Sequence, residues 1–353
     1  MEPRFWMDGQ LGMRPDEVAD SLEILDGTLD HHSLYAVFGS FEGDWQVLRF
    51  DNIVNQSTLL EGPSLEVSIP VPWESTLKEE EYRTYVETIR NEIAKGWVYQ
   101  VNACRLLLAD SDEELRLIFN EIQRRHAAPA ASYLRTDRWE IASASPETFF
   151  KVERRSEGRF ITTSPIKGTS RDGRFKEKDS AENVMIVDLM RNDISPLCAL
   201  GTVKVPRLLG VEEHPGLFHL VSDVEGRLRE NITWKEILER LSPAGSISGA
   251  PKSSALEVIS RFESYRGAYC GTLGWIRGDE AHFSVLIRTF FRDRLRNPGQ
   301  IAFGTGAGIT WGSDAQDEWN ETLLKAERLI ALTRVKGESG SIEMQIHEEG
   351  THS

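Results

Sequence analysis

Runs of β-prone residues alternate irregularly with amphipathic helical stretches, and this order constrains the fold of the chain more than any other feature. Strands are predicted in consecutive runs, as at residues 35–38 and 45–50, which flank a turn. Helices are predicted between such runs, without a strict strand–helix–strand repeat. The pattern therefore favours an α+β fold, in which helices are layered around antiparallel sheet.

The individual elements follow from the periodicity of apolar residues. Helices are predicted over residues 75–95, 113–125, 177–191, 234–241, 253–263 and 314–335, and strands over residues 98–108, 131–134, 139–142, 148–152, 159–163, 203–209, 217–225, 269–276, 281–291 and 300–303. We expect a strand-rich N-terminal segment, residues 1–75, packed on a main domain of residues 76–335. The tail, residues 336–353, is rich in Gly, Ser and Glu, and we expect it to be disordered.

Charge and composition narrow the function. The formal net charge of the 353 residues is −15, which disfavours nucleic acid as a partner but allows an anionic small molecule in a locally basic pocket. No apolar stretch approaches 18 residues, so no membrane span is predicted. Cys104, Cys198 and Cys270 are too few for a disulfide framework, and the N-terminus lacks a signal-peptide pattern. We therefore expect a cytoplasmic protein.

Two predicted helices carry carboxylates three residues apart, which places each pair on one helix face. The first pair is Asp179 and Glu182, and the second is Glu318 and Glu321, with Lys325 one turn later. Apolar residues after Glu182 predict that the first helix is buried on nearly all sides. Buried carboxylates must be paired, protonated or bound to a cation, and four that converge would suit Mg²⁺. A solvated face or an ordinary ion pair is compatible with the same spacing.

Two segments consist largely of small residues. Residues 301–308, IAFGTGAG, form a glycine-rich strand end whose spacing is not that of a dinucleotide-binding fingerprint, although its backbone amides could approach an anion. Residues 245–252, GSISGAPK, form a loop that enters a helix through Pro251. The positive end of that helix could attract a carboxylate, and a plain turn is an equal alternative.

Three single residues are chemically suggestive but ambiguous on their own. Lys167 lies between Pro165 and Gly168, where most lysines are solvated surface groups. His219 lies in an apolar strand, where a hydrogen-bonded core histidine is the common case. Glu147 follows a Ser-Pro pair and could be either structural or catalytic.

Considered together and in this order, the motifs resemble those of the chorismate-utilising enzymes, the anthranilate synthase component I superfamily, over about residues 78–334. The matching segments are residues 96–102 (GWVYQVN), 145–147 (SPE), 182–193 (ENVMIVDLMRND), 245–252, 287–289 (IRT), 306–309 (GAGI) and the helix with Glu318, Glu321 and Lys325. The resemblance implies two packed antiparallel β-sheets with helices on the outside. It also implies that residues 76–335 form the chorismate-binding catalytic domain, with one Mg²⁺ in its cleft.

The resemblance also implies roles for individual residues. Glu182 and Glu321 would ligate Mg²⁺ directly, Asp179 and Glu318 would act through waters, and the metal would hold the ring carboxylate of chorismate. The groups that would hold the enolpyruvyl carboxylate are Arg288, Tyr269 and the backbone of Gly306, Ala307 and Gly308. Lys325 would support the metal end, and His219, counted among the catalytic residues, would lie near the ring carboxylate. Gln100 and Thr169 would contact the substrate. Glu147 would be the general acid that protonates the departing 4-hydroxyl.

The residues at two positions distinguish the activities found within the family. Isochorismate and salicylate synthases carry a lysine base where this chain has Gln100, so the resemblance disfavours those activities. Anthranilate synthases usually carry alanine where this chain has Lys167, as aminodeoxychorismate synthases do. Attack by Lys167 at C2 would let ammonia enter at C4, giving 4-amino-4-deoxychorismate, a precursor of 4-aminobenzoate and folate.

The ammonia would come from a glutamine amidotransferase subunit, because no glutaminase Cys-His constellation is recognised in the chain. Two alternatives stay open. One is an anthranilate or 2-amino-2-deoxyisochorismate synthase component I, which aminates C2. The other is a non-catalytic chorismate-binding protein.

Overall fold

A computed structural model describes residues 2, 4–59, 73–125, 128–170, 172–175, 177–214 and 217–333. Within those ranges the strands form two ten-stranded sheets in which the paired strands are antiparallel. Helices cover these sheets. The predicted α+β class, with two antiparallel sheets and helices outside, is confirmed.

The first sheet is built from strands that lie far apart in sequence. They are β1 (Arg4–Met7), β2 (Gln10–Met13), β6 (Ile53–Asn55), β7 (Glu74–Ser75), β8 (Gln100–Asp110), β9 (Ser132–Arg135), β10 (Trp139–Ser143), β16 (Gly249–Ala250), β19 (Thr289–Asp293) and β20 (Gln300–Ile309). Their spatial order is β16-β8-β20-β19-β10-β9-β1-β2-β6, with β7 also paired to β8.

The second sheet contains the remaining described strands. They are β3 (Glu17–Ala19), β4 (Leu34–Gly39), β5 (Trp45–Phe50), β11 (Thr148–Arg155), β12 (Gly158–Thr163), β13 (Ile166–Ser170), β14 (Lys204–His214), β15 (Leu217–Arg227), β17 (Thr272–Arg277) and β18 (Glu280–Val285). Their order is β13-β15-β12-β11-β18-β17-β4-β5-β3, with β14 also paired to β15.

Six of the seven α-helices in the described ranges fall close to the predicted positions, and the short helix Gly245–Ser248 lies in a segment predicted as a loop. The helices are α1 (Glu79–Ala94), α2 (Leu115–Arg125), α3 (Glu177–Ile194), α4 (Trp234–Leu241), α5 (Gly245–Ser248), α6 (Lys252–Ser260) and α7 (Ala315–Ile330), with 3₁₀ turns at Leu22–Leu25, Ser195–Leu197 and Ala331–Thr333. Among the described residues, no helix is long and apolar enough to cross a membrane.

The largest apolar core lies between the two sheets. Phe38 of the second sheet and Trp139 of the first meet there with ring centroids 4.8 Å apart. Both side chains are almost completely buried, and burial of one large apolar side chain contributes roughly 1.5–3 kcal/mol. A separate apolar cluster holds α1, α6 and α7 against β8 and β20. The helices that carry the predicted site residues are thus fixed to the sheets by packing.

Several strand predictions were wrong at their boundaries. The strands predicted over residues 203–209 and 300–303 end too early, since they are β14 (Lys204–His214) and β20 (Gln300–Ile309), and two others include residues that lie outside any strand. Residues 281–291 were predicted as one strand, but β18 and β19 belong to different sheets, and the chain crosses between them at Arg288, whose φ is +52°. Both strands are buried and β-prone, so the pattern predicts one strand through the polar Arg288 and Thr289, although Arg288 is exposed at the crossing. Residues 269–271 form a turn rather than the start of a strand, with Cys270 at φ +63°.

The prediction that α3 is buried on nearly all sides was also wrong. Ile186, Val187 and Met190 are buried in the core, but Val184 is 46% exposed and the Asp188 side chain is 79% exposed. The helix lies on the second sheet with one face open to solvent, so its apolar residues are not confined to the packed face.

The three-part division of the chain stays a prediction. Strands from the N-terminal segment enter both sheets, since β1, β2, β6 and β7 extend the first and β3, β4 and β5 extend the second. The predicted disordered tail, residues 336–353, lies outside the described residues.

Candidate active site

A long antiparallel ribbon of β8 and β20 carries the glycine-rich segment. Residues 304–308 lie inside β20, paired with β8, so the strand predicted over residues 300–303 continues through the glycine-rich segment. Gln100 is 2% exposed, and a Cβ atom added to Gly308 would lie only 2.8 Å from its Nε2 atom. Glycine at position 308 therefore leaves room for the Gln100 side chain, and two predicted site residues are in contact.

Lys325 joins α7 to this ribbon. Its Nζ atom donates to the carbonyl oxygen of Gly306 at 3.0 Å and lies 2.6 Å from Oε1 of Glu321. The Lys325 and Glu321 side chains are 44% and 48% exposed, so their ion pair adds little to stability. Its consequence is geometric, because it orients the Glu321 carboxylate beside the glycine-rich strand. Glu318 lies one turn earlier on the helix and is buried.

Tyr269 and Arg288 lie at the two irregular points of the backbone noted above. Tyr269 is buried against Gly304, where a Cβ atom would come within 1.9 Å of its ring. Burial raises the pKa of the Tyr269 phenol well above its usual value, which makes it a neutral hydrogen-bond donor. The Arg288 side chain keeps exposed surface, yet desolvation and the charge of Arg328 lower the pKa of its guanidinium. The guanidinium is therefore partly desolvated while part of the side chain stays open to solvent.

A second group of predicted residues lies on β13, β15 and α3. Thr169 pairs in register with His219, which is 7% exposed, and the register shifts between Ile166 and Thr169. Gly168 adopts φ +88°, and a Cβ atom there would lie 3.1 Å from Cβ of Asp179. The backbone of Lys167 thus runs in β13 between the strand of His219 and the helix of Asp179.

Asn183 fixes α3 to β15, a role that the sequence analysis missed. Its fully buried side chain donates to the carbonyl oxygen of Leu220 at 3.1 Å and accepts a hydrogen bond from Ser222 Oγ at 2.5 Å. These bonds set which face of α3 turns toward the sheet, and hence where neighbouring Glu182 lies. The sequence carried one indication of this role: Asn183 is a polar residue that directly follows Glu182 in a helix predicted to be buried.

The small residues of segment 245–252 serve close packing. A Cβ atom added to Gly245 would lie 2.8 Å from Leu189 Cδ2 on α3, and one on Gly249 would lie 2.2 Å from the carbonyl oxygen of Gln100 on β8. The segment folds as α5 and β16, rather than as an open loop, and links the two groups of site residues. Glu147, which is 8% exposed, accepts a hydrogen bond from Ser246 of this segment.

Magnesium is implied by the carboxylates of α3 and α7. In the parts of the chain that the structure describes, no three His, Cys, Asp or Glu side chains lie close enough to form a metal cluster. The expected convergence of Asp179, Glu182, Glu318 and Glu321 is therefore not observed. The donors are hard carboxylate oxygens, and Mg²⁺ commonly uses one or two such groups and keeps several waters. The donor chemistry fits Mg²⁺, and the ligand set stays a proposal.

A cavity of about 660 Å³ elsewhere in the molecule is separate from these residues. Its lining includes Trp45, Arg138 and Lys235, and none of the predicted site residues. The candidate active site is consequently defined by the side-chain contacts described above.

The chain is similar to proteins of a known family. Residues 31–331 match the sequence profile of a family described as chorismate binding enzyme. This chain belongs to the chorismate-binding enzyme family. The predicted resemblance to chorismate-utilising enzymes is thereby confirmed.

Similar relatives carry two different activities in their names. The chain is 34% identical over 280 residues to anthranilate synthase component 1 of Saccharolobus solfataricus, covering 75% of this chain and 64% of the relative. It is 33% identical over 283 residues to aminodeoxychorismate synthase component 1 of Escherichia coli, covering 76% of this chain and 61% of the relative. The chain thus spans less than two thirds of the length of these relatives, and their identities do not separate the two reactions.

A solved structure supports the fold independently. Anthranilate synthase component I from Streptococcus pneumoniae superposes with a TM-score of 0.74 at 23% identity, covering 95% of this chain and 90% of that chain. At this identity the likeness establishes the two-sheet fold of the family alone.

Proposed function

We propose that this member of the chorismate-binding enzyme family converts chorismate and ammonia into 4-amino-4-deoxychorismate through a covalent intermediate on Lys167. A glutamine amidotransferase subunit supplies the ammonia, in keeping with the component 1 names of its relatives. The observation that carries the proposal is a lysine in the sequence Pro165-Ile166-Lys167-Gly168-Thr169, on the strand that borders His219 and Asp179.

The first step balances as a displacement across the conjugated ring. The neutral amine of Lys167 forms a bond to C2, the two ring double bonds shift, and the C4–O bond breaks. Glu147 gives its proton to the departing hydroxyl, which leaves as water. Glu147 is buried, so bulk water does not compete for that proton at the moment of transfer.

The second step reverses the shift of the double bonds. Ammonia forms a bond to C4, and the C2–N bond to Lys167 breaks, which returns the lysine as a neutral amine. The proton lost by the new amino group restores Glu147. The enolpyruvyl ether stays on the ring, so no pyruvate is released.

The remaining residues hold the substrate in this proposal. Arg288 and Tyr269 bind the enolpyruvyl carboxylate, the first as a cation and the second as a neutral donor. The backbone of residues 306–308 holds the same carboxylate. Gln100 contacts the substrate beside Gly308, and the strand pair of Thr169 and His219 lies beside the Lys167 backbone.

Magnesium is part of the proposal as well. Glu182 and Glu321 would hold the ion directly, with Asp179 and Glu318 contributing through waters. When bound, the ion would supply the positive charge that fixes the ring carboxylate. The contact of Lys325 with Glu321 and Gly306 supports this arrangement, because it orients the Glu321 carboxylate beside the strand expected to border the substrate.

The test is product analysis of the purified chain with chorismate, ammonium and Mg²⁺. We expect a product of unchanged enolpyruvyl content with the amino group on C4, identified by mass spectrometry and NMR, and no pyruvate. An amino group on C2 would instead identify the chain as an anthranilate-type component. That second candidate function is supported by the anthranilate synthase component 1 relatives, which are as similar in sequence as the aminodeoxychorismate synthase relatives. Binding of chorismate without turnover in any condition would favour a non-catalytic protein.

A further inference from the structure

We propose that Ser246 is a positioning residue for the carboxyl group of Glu147, an inference that rests on the proposed function because it takes Glu147 as the general acid. Ser246 Oγ lies 3.0 Å from Oε1 of Glu147. Both side chains are buried, at 6% and 8% exposure. The two residues are 99 positions apart in sequence, so the contact is created by the fold and not by a local turn.

The backbone on either side of Ser246 is closely packed against neighbouring elements. Gly245 packs against α3 and Gly249 against β8, each so closely that a Cβ atom would clash. Arg266, which is buried, adds a hydrogen bond from Nη1 to the carbonyl oxygen of Ile247 at 3.3 Å. The backbone around Ser246 therefore has little freedom to move away from Glu147.

The backbone of Glu147 is fixed independently. Its N–H donates to Ser145 Oγ at 3.2 Å, and its carbonyl oxygen accepts from the N–H of Val285 at 3.2 Å. With the backbone fixed, the Ser246 hydroxyl selects the rotation of the carboxyl group. By holding Oε1, the serine fixes the orientation in which the carboxyl group presents its proton to the departing hydroxyl of the substrate.

A positioning role of the Ser246 hydroxyl would change the pH dependence of turnover, which a role in packing alone would not do. A hydroxyl that donates to a carboxyl oxygen stabilises the ionised form more than the neutral form. A general acid must be protonated, so turnover falls as the pH rises and Glu147 ionises. This fall is the alkaline limb of the pH profile. Removal of the hydroxyl should therefore move that alkaline limb to higher pH while it also loosens the carboxyl group and lowers kcat.

The experiment compares Ser246→Ala, Ser246→Cys and Ser246→Thr by chorismate consumption at saturating chorismate and constant free ammonia. We expect Ser246→Ala to lower kcat about 10-fold and shift the alkaline limb upward. Ser246→Cys carries a weaker donor of similar size, so it should shift the alkaline limb upward by less, and it serves as the test if Ser246→Ala fails to fold. Ser246→Thr keeps the hydroxyl and should show the wild-type limb. In a Glu147→Gln background, Ser246→Ala should have almost no further effect on kcat.

The matched control is Ser248→Ala. Ser248 is a fully buried serine of the same short helix whose hydroxyl donates to the Ala244 carbonyl oxygen at 2.9 Å. We expect that variant to keep the wild-type alkaline limb. A wild-type limb in both Ser246→Ala and Ser246→Cys would overturn the inference.

Failure of the proposed function can be distinguished from failure of the inference about Ser246. Loss of the 4-hydroxyl accompanies amination at either C2 or C4, so an unexpected C2 product leaves the Ser246 effect measurable. Absence of any chorismate consumption by the wild-type chain would overturn the proposed function, and this inference with it.

Discussion

Nδ1 of His282 lies 2.6 Å from Oδ2 of Asp8, and the contact ties the turn between β1 and β2 in the first sheet to β18 in the second. The same carboxylate oxygen accepts a hydrogen bond from Nε1 of Trp275 on β17 at 2.8 Å. Burial alone would raise the pKa of Asp8, but the hydrogen bond and charge of His282 and the bond from Trp275 outweigh it, and the net pKa is lowered. A carboxylate of the N-terminal segment is thus bonded across the two sheets.

Replacing Asp8 by Asn should destabilise the protein in a pH-dependent way. A carboxyl group whose pKa is lowered in the folded state stabilises that state above the usual pKa of aspartate. The stabilisation is lost as the pH falls through the lowered folded-state value. We expect Asp8→Asn to lower the free energy of unfolding by about 1–2 kcal/mol near pH 7 and much less at about pH 3.

Urea unfolding at the two pH values measures this difference. Asp279→Asn is the control, because Asp279 is 37% exposed and pairs with the exposed Arg154, so its effect should stay near zero. An equal loss of stability at both pH values in Asp8→Asn would show that the hydrogen-bond geometry, and not the charge, stabilises the contact.

Gly304 is predicted to be essential for the position of Tyr269. Gly304→Ala would place a methyl group within 1.9 Å of the Tyr269 ring, and the ring would have to move. Overpacking of this kind costs about 1–3 kcal/mol, and we expect the KM for chorismate to rise at least 10-fold.

Gly312→Ala serves as the matched control for steady-state kinetics, since a Cβ atom there meets nothing within 4 Å. It should leave KM unchanged. If Gly304→Ala folds stably with a wild-type KM, Tyr269 does not contact the substrate.

The proposed metal ligands are tested on α3. Glu182→Gln removes a charged oxygen donor, so chorismate turnover should fall by more than the roughly 10–100-fold typical of outer-shell partners. Asp188→Asn is the control on the same helix, because the Asp188 side chain is 79% exposed and pairs with Arg191. Its turnover and Mg²⁺ dependence should match the wild type.

Chelation gives the second measurement of the metal site. EDTA should abolish wild-type turnover, and added Mg²⁺ should restore it. Full activity in EDTA, or equal losses in the Glu182 and Asp188 variants, would contradict a magnesium site at α3.

Periodicity predicted much of the architecture because it reports local burial. The helix Trp234–Leu241 was predicted to the residue, and the helix predicted over residues 75–95 was found at Glu79–Ala94, since each carries a regular apolar stripe. The boundary at Arg288 was missed because the β-prone residues on both sides of Arg288 and Thr289 give the pattern of a single strand. No local pattern records that the chain changes sheet there.

The residues proposed for the candidate site could be selected from sequence patterns, but the contacts between them could not. The motif containing Lys167 and the carboxylates of α3 and α7 are visible as short patterns. The bond between Ser246 and Glu147 joins segments 99 residues apart, and the fit of Tyr269 over Gly304 depends on two irregular backbone turns. Such contacts arise from tertiary packing, which single-sequence periodicity does not encode.

The position of nitrogen on the ring tests the central claim most directly. Wild-type protein and Lys167→Ala are each incubated with chorismate, ¹⁵N-ammonium and Mg²⁺, and the product is analysed by NMR. We predict ¹⁵N on C4 for the wild type. For Lys167→Ala we predict slow turnover with ¹⁵N shifted toward C2, because the nucleophile is gone while Glu147 and Arg288 remain. Formation of the C4 product by Lys167→Ala at the wild-type rate would contradict the account.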